Sequence, residues 1–404
     1  MSAANHDRDR DAWAAEVADK GAYPLRILIA IGVSRQKEAG AAGVVLANAC
    51  ELEKLGHTVD CWFLEDVLPA PVSPKRFEAL LFAIALARRV RREREKYDVV
   101  NLHAPCGCVY GILRRLFRMQ GLPPYVMTMQ GSEERYVRIM RQEYRKGRAW
   151  HFGLGNRLWH RAYHQTMYDY SIRTADYGTV ANREAWICAE LKYGREPGKI
   201  RFVPNGVEEG FFAERVYETK SSLRLLYVGT WLDRKGIYYL ADAFRLVCRD
   251  NPSISLTVAG CGSSDENIKS FFAPEVRGQV NVVPFIARDR MPALYAEHDV
   301  FVFPSLFEGM PLTLLEAMAA GMPVVTTNTS GMADVVENGF NGISVLPADA
   351  EGIADAIAQL CASVELRCRL GREAQNTMRR YTWEKVTRPL EEVMSLAAQS
   401  GAQK

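Results

Sequence analysis

Short apolar runs that do not alternate with polar residues, each followed by a helix-like stretch, recur along nearly the whole chain. A sheet with one wet face would show alternation. Continuous runs belong instead to strands covered on both faces, and so to parallel sheets wrapped by helices. LRILIAI (25–31) leads through a glycine-bearing loop to VVLANACELEKLG, a helix ending at Gly56, and then to the strand HTVDCWF. DVVNLHA (98–104), YVMTM (125–129) and YGTVAN (177–182) continue the series. It then restarts with LRLLYVG (223–229), SLTVAG (255–260), VNVVPFI (280–286), DVFVFPS (299–305), MPVVTT (322–327) and GISVLP (342–347). The seam, VEEGFFAERVYETKSS (207–222), is polar and aperiodic.

At 404 residues the chain exceeds one ordinary core. The pattern predicts an α/β protein of two Rossmann-like, doubly wound domains facing a cleft. The expected division is a tail at 1–22, an N-terminal domain at 23–207, a C-terminal domain at 208–381 and a last helix at 382–404 able to cross back. Ligands of such sheets sit beyond the carboxyl ends of the strands. The loops expected to face the cleft are therefore 32–43, 103–108, 130–135, 229–236, 260–264 and 305–313.

Composition narrows the function classes. The first residues, MSAANHDRDRDAWAAEVADKG, are polar where a secretory signal is apolar, so they read as a tail or short helix. The most apolar run, ALLFAIALA (79–87), is far short of the roughly 20 residues of a membrane span and meets RRVRRERE at once. The nine cysteines are scattered, with one isolated Cys106-Gly107-Cys108, which suits a reduced, cytoplasmic protein. Residues 1–200 hold 31 Lys+Arg against 23 Asp+Glu, and the basic, aromatic stretch 135–168 lies within them. Three readings are open for that stretch: a solvated helical face, a patch for a phosphorylated or lipid-linked acceptor with peripheral membrane contact, and nucleic acid, placed last because no binding motif accompanies the charge.

The most chemically suggestive segment is LFEGMPLTLLEA, 306–317. Glu308 and Glu316 stand eight positions apart, with Gly309 and Pro311 between them, so they cannot share one face of a continuous helix. Glu308 falls in the loop after a buried strand and Glu316 about a turn into the next helix. The N–H groups near Leu312 and Thr313 can bind an anion, and Gly309 permits close backbone approach. Carboxylates flanking an anion need other partners, and sugar hydroxyls are suitable. The plainer reading is a charged helix start beside a surface loop. VGTWLDRKG (228–236) offers Arg234 and Lys235 in another cleft loop, where a lysine can neutralise a diphosphate, although such a sequence is also a common solvated turn.

The succession PNGV, VGxxxxxKG, AGxG and FEGxPLxLLEAMAxGxPVV resembles the retaining glycosyltransferases of family 4, over roughly residues 24–395. That resemblance implies the GT-B fold, with an acceptor-binding N-terminal domain and a donor-binding C-terminal domain. It implies that Glu308 contacts the donor hexose, Glu316 the ribose and Lys235 the diphosphate, with catalytic roles for Glu308, Lys235 and Gln130. The implied donor site comprises Gly40, Gly229, Thr230, Arg234, Lys235, Gly260, Ile286, Glu308, Gly309, Met310, Pro311, Leu312, Thr313 and Glu316. His103 and Arg135 are the acceptor-side candidates. Two positions depart from the family: Thr230 stands where an arginine is frequent, and Gln130 where a histidine is usual. The implied reaction moves a sugar, UDP-linked first and GDP-mannose second, to a carbohydrate or lipid-linked acceptor with retention and without a metal or cofactor. His160 and His164 lack the glutamate of a zinc motif. Alternatives are a non-catalytic nucleotide-sugar-binding protein and a GT-B-type epimerase or hydrolase.

Overall fold

The structure, a computed structural model, describes residues 23–402 except 36–39, 116, 118, 120 and 220–221. The expectations for the tail at 1–22 and for part of the loop at 32–43 lie outside the described residues. Twelve strands form two wholly parallel six-stranded sheets. The first contains β1 (Arg26–Ala30), β2 (Thr58–Trp62), β3 (Val99–His103), β4 (Tyr125–Met129), β5 (Tyr177–Val180) and β6 (Ile200–Phe202), in the order β2-β1-β3-β4-β5-β6. The second contains β7 (Arg224–Val228), β8 (Ser255–Ala259), β9 (Val280–Val283), β10 (Val300–Phe303), β11 (Val324–Thr327) and β12 (Ile343–Val345), in the order β12-β11-β10-β7-β8-β9.

Burial explains the unbroken apolar runs. Every residue of β3 and β10 is buried, as both faces carry helices. Fully burying each such Val, Leu, Ile or Phe is worth roughly 1.5–3 kcal/mol. β6 had no counterpart in the sequence reading, because it is three residues long and its centre is Arg201. That arginine is nonetheless buried, and its Nη2 donates to Glu392 Oε2 at 3.3 Å.

Glu392 belongs to the last helix, Trp383–Ala402, which packs on the first sheet. Its Leu390, Val393, Met394 and Ala397 join Ile27, Ile29, Val99 and Val126 in one apolar cluster. The chain thus crosses between the sheets twice, and the two crossings touch. Val207 N–H donates to Tyr381 O at 2.8 Å, and Trp383 leaves no room for a Cβ at Gly206.

Much of the basic stretch 135–168 faces inward across the junction of the halves. Tyr239 Oη donates to Glu143 Oε1 at 2.7 Å, Lys146 Nζ donates to Tyr239 Oη at 2.7 Å, and Arg148 lies 3.6 Å from Asp242. Arg138, Arg141, Arg145 and Arg161 remain exposed. His160 lies 2.6 Å from Glu133 and stacks on His164, so this histidine pair is a packed ring stack. Among the described residues, no helix is long and apolar enough to cross a membrane.

Candidate active site

The strand order of the second sheet reverses between β7 and β10. Loops leaving neighbouring strands at such a point diverge and open a crevice. The loop after β7 carries Arg234 and Lys235, and the loop after β10 carries Ser305 and Glu308. Leu306 N–H donates to Arg234 O at 2.8 Å and Ser305 Oγ to the same oxygen at 3.1 Å, which locks the two loops together. Gly236 makes this possible: its φ is 73°, and a Cβ there would lie 1.9 Å from Pro304 O.

Three donors converge on one carboxylate oxygen. Glu308 Oε1 accepts from Arg234 Nη1 at 2.6 Å and Ser305 Oγ at 2.9 Å, and Lys235 Nζ lies 2.8 Å away. Burial would raise the Glu308 carboxyl, but Lys235 and Arg234 outweigh it and hold the group below the usual carboxylate range. Burial pushes the Lys235 ammonium below its ordinary value, against the pull of Glu308. The guanidinium absent at Thr230, which is exposed, is supplied to this crevice by Arg234 four positions later.

The second glutamate has its own enclosure. Glu316 is 1% exposed within the helix Leu312–Ala319, bonded to Arg288 Nη1 and, at 2.9 Å, to Tyr295 Oη. Burial raises its carboxyl above the ordinary value, while Arg288 and Tyr295 pull it down. Arg288 also reaches Glu208 Oε1 at 3.0 Å. Between the two glutamates this helix begins at Leu312 after Pro311, with no side-chain cap. The N–H groups of Leu312 and Thr313 lack intrahelical acceptors and form an anion cradle.

These groups line a cavity of about 920 Å³. Gly40, Gly229, Thr230, Gly260 and Ile286 lie on its wall, as do Arg234, Lys235, Gln130, the run Glu308–Thr313 and Glu316. His103 and Arg135 are not on that wall. His103 is 5% exposed at the end of β3, its Nδ1 without a partner among the described residues, and burial pushes its imidazole down to about 4. Arg135 instead crosses the junction, donating to Thr329 Oγ1 at 2.9 Å.

Sequence reasoning missed the residues that hold the cavity together. Asn182 caps the helix Arg183–Tyr193 by accepting from Ala185 N–H at 2.7 Å. Its amide also donates to Gly309 O at 2.9 Å and Gln130 O at 3.2 Å, tying one loop from each half. Asn205 Nδ2 donates to Met310 O at 2.7 Å. The close approach is real at Gly309, where a Cβ would lie 2.2 Å from Gln130 O. Asn182 carried an N-cap signal; nothing local announced its second duty. Arg288, just beyond the carboxyl end of β9, was open to the same loop argument that selected Lys235.

Comparison with known proteins agrees with this geometry. The family described as Glycosyltransferase Family 4 matches residues 39–211, and that described as Glycosyl transferases group 1 matches 212–377. The UDP-Gal:alpha-D-GlcNAc-diphosphoundecaprenol alpha-1,3-galactosyltransferase of Escherichia coli is 26% identical over 285 residues, 66% of this chain and 67% of that protein. Two further curated relatives are spanned over only 54% and 51% of their lengths. Sucrose-phosphate synthase from Thermosynechococcus elongatus superposes with a TM-score of 0.73 at 18% identity, covering 94% of this chain and 100% of that one. Anabaena HepE, solved with UDP and glucose, gives 0.66 at 16% identity over 92% and 99% of the two chains. The two matched domains meet end to end on two facing parallel sheets, and the chain is a glycosyltransferase of the GT-B type.

Proposed function

We propose that this glycosyltransferase moves a sugar from a nucleoside diphosphate, UDP by preference, to an acceptor hydroxyl with retention of anomeric configuration. The observation that carries the reading is the pairing of two buried carboxylates, Glu308 and Glu316, on either side of an uncapped helix start, each with its own cations. The diphosphate would lie on the Leu312 and Thr313 N–H groups. Its charge competes with Glu308 for Lys235 and Arg234, leaving that carboxylate to accept hydroxyls of the sugar. Glu316 would accept the ribose hydroxyls, with Ile286 near the base. The preference for UDP is supported by the names of the galactosyltransferase relative and of the HepE complex.

In the proposed reaction the acceptor oxygen bonds to the anomeric carbon on the face that the diphosphate leaves. The bond from that carbon to the phosphate oxygen breaks, and the acceptor proton passes to the leaving phosphate. Lys235 and the helix start stabilise the departing charge, and Gln130 donates to the transferring sugar. None of these steps calls on a metal. Carbohydrate or lipid-linked acceptors are the expected class, handled at the cytoplasmic face with peripheral membrane contact through the exposed arginines of 138–161.

A donor screen tests this. Release of UDP, GDP and ADP from a panel of nucleotide sugars, with binding of each, is followed for the wild type, Glu308→Ala and Lys235→Ala. One donor slowly hydrolysed by the wild type and spared by both variants supports the reading. Binding without cleavage across a range of acceptors favours the non-catalytic alternative, conversion of donor without any acceptor in the product favours the epimerase or hydrolase, and absence of binding refutes the assignment of 306–317.

A further inference from the structure

A second and larger cavity, about 1180 Å³, lies far from the cleft. Its wall includes Asp98, Pro124, Asp176 and Lys199, which immediately precede β3, β4, β5 and β6. It therefore opens at the amino ends of the first sheet, opposite the carboxyl ends that face the donor cleft. Six cations line it: Arg94, Arg114, Arg115, Arg173, Arg195 and Lys199.

Arginines at this end of an α/β layer have an ordinary use, because helix C-termini leave carbonyls unpaired there. Part of the donor set serves that use. Arg195 donates to Ala175 O at 2.8 Å and Asp176 O at 2.9 Å, and Arg115 donates to Arg173 O at 2.9 Å. Carbonyls satisfy hydrogen bonds without cancelling charge. The three carboxylates of the wall are already committed: Asp98 to Arg26, Asp176 to Arg114 and Glu196 to Lys199. Among the described residues, no carboxylate lies within ion-pair distance of Arg115, Arg173 or Arg195. Arg195 Nε is moreover buried without a hydrogen-bond partner. Burial, and next the nearby charge of Arg115, press the Arg195 guanidinium below its ordinary value. Gathering like charges in a concavity costs free energy that an anion recovers.

We propose that this cavity is a second anion site, taking a phosphate-bearing small molecule on Arg115, Arg173 and Arg195. Planar guanidinium forks match phosphate oxygens two at a time, which a lysine patch would not do. Leu122, Pro123 and Pro124 give the same cavity an apolar wall for the rest of the ligand. The site is independent of the donor chemistry. Physical continuity with the cleft does exist, since the helix Trp383–Ala402 has Trp383 at the cleft and its last turn, at Ser400 and Gly401, on this cavity.

Inorganic pyrophosphate titrated into the full-length chain, followed by calorimetry, is the test. It is run on the wild type, on Arg115→Gln/Arg173→Gln and on Lys235→Ala, with the circular dichroism melt of each. Arg115 and Arg173 are exposed, so the double variant is expected to fold; single Arg115→Gln replaces it if its melt is displaced. The expected result is a binding event in the wild type and in Lys235→Ala that the arginine variant weakens about tenfold or more, the size of one lost charge-assisted hydrogen bond. Unchanged binding in the arginine variant overturns the proposal. So does loss of all binding in Lys235→Ala, which would put the only site in the cleft, or abolition by sodium chloride at matched ionic strength in a manner indifferent to the arginine substitutions.

Discussion

Asn182→Ala removes three hydrogen bonds from a side chain that is 1% exposed. One is the helix cap to Ala185 N–H, whose loss costs about 1 kcal/mol. The other two run from the amide to Gly309 O and Gln130 O, each with a net worth of about 1 kcal/mol. The expected destabilisation is therefore about 3 kcal/mol, small in each part and large in sum. Two further variants separate the contributions. Asn182→Ser keeps the cap but its hydroxyl is too short to bridge, so it should lose about 2 kcal/mol. Asn182→Asp also keeps the cap, yet turns a carboxylate on two carbonyl oxygens. The folded state then raises the pKa of the introduced carboxyl. Stability is lost as pH rises through that raised value and regained as pH falls, because protonation restores one donor. Urea unfolding at neutral and mildly acidic pH measures all three. Since Gln130 and Gly309 both line the cleft, donor KM should rise in every variant, with the melting order setting the ranking. Wild-type stability and wild-type KM in Asn182→Ser would refute the argument, for the bridge would then contribute nothing.

Other sites give sharper single effects. Gly236→Ala places a Cβ 1.9 Å from Pro304 O at a φ of 73°, so urea unfolding should show a loss of about 3 kcal/mol or more, with donor binding lost as Lys235 is displaced. Arg288→Ala strips a buried glutamate of its cation and should cost about 3 kcal/mol near neutral pH; the deficit should shrink in acid as Glu316, already raised by burial, takes up a proton. His103, held down at about 4, stays neutral in the fold while the unfolded chain binds a proton below about pH 6.5. Stability should therefore fall by about 3 kcal/mol as pH drops between those values, and His103→Gln should flatten that part of the profile of melting temperature against pH.

The sheets were legible because each apolar run states its own environment. Five strands of the first sheet and all six of the second lie within runs read from sequence. β6 escaped because it is short and centred on Arg201, whose burial depends on Glu392, 191 positions away. Glu308, Lys235 and Glu316 were legible for another reason. They sit at fixed offsets from strand ends, and an α/β sheet binds ligands beyond those ends whatever its sequence. The acceptor side follows no such rule. His103 and Arg135 occupy the right ends of the right strands, yet one is packed beneath the cavity and the other spent on Thr329.

What no local pattern could supply is the junction between the halves, and its chemistry explains why. Its contacts are polar and very long in sequence: Asn182 to Gly309 over 127 positions, Asn205 to Met310 over 105, Ser330 to Glu184 over 146 and Arg183 N–H to Asp334 over 151. Hydrophobic periodicity reports burial against a residue's own element, and it is silent about a lone amide reaching a distant carbonyl. A large apolar junction would have left a stripe in the sequence and would also fix the halves rigidly. Polar bonds of this kind exchange with water at little net cost, which is how an interface between moving domains differs from a core. The same property that hides the junction from sequence allows the cleft to open for a donor and close over it.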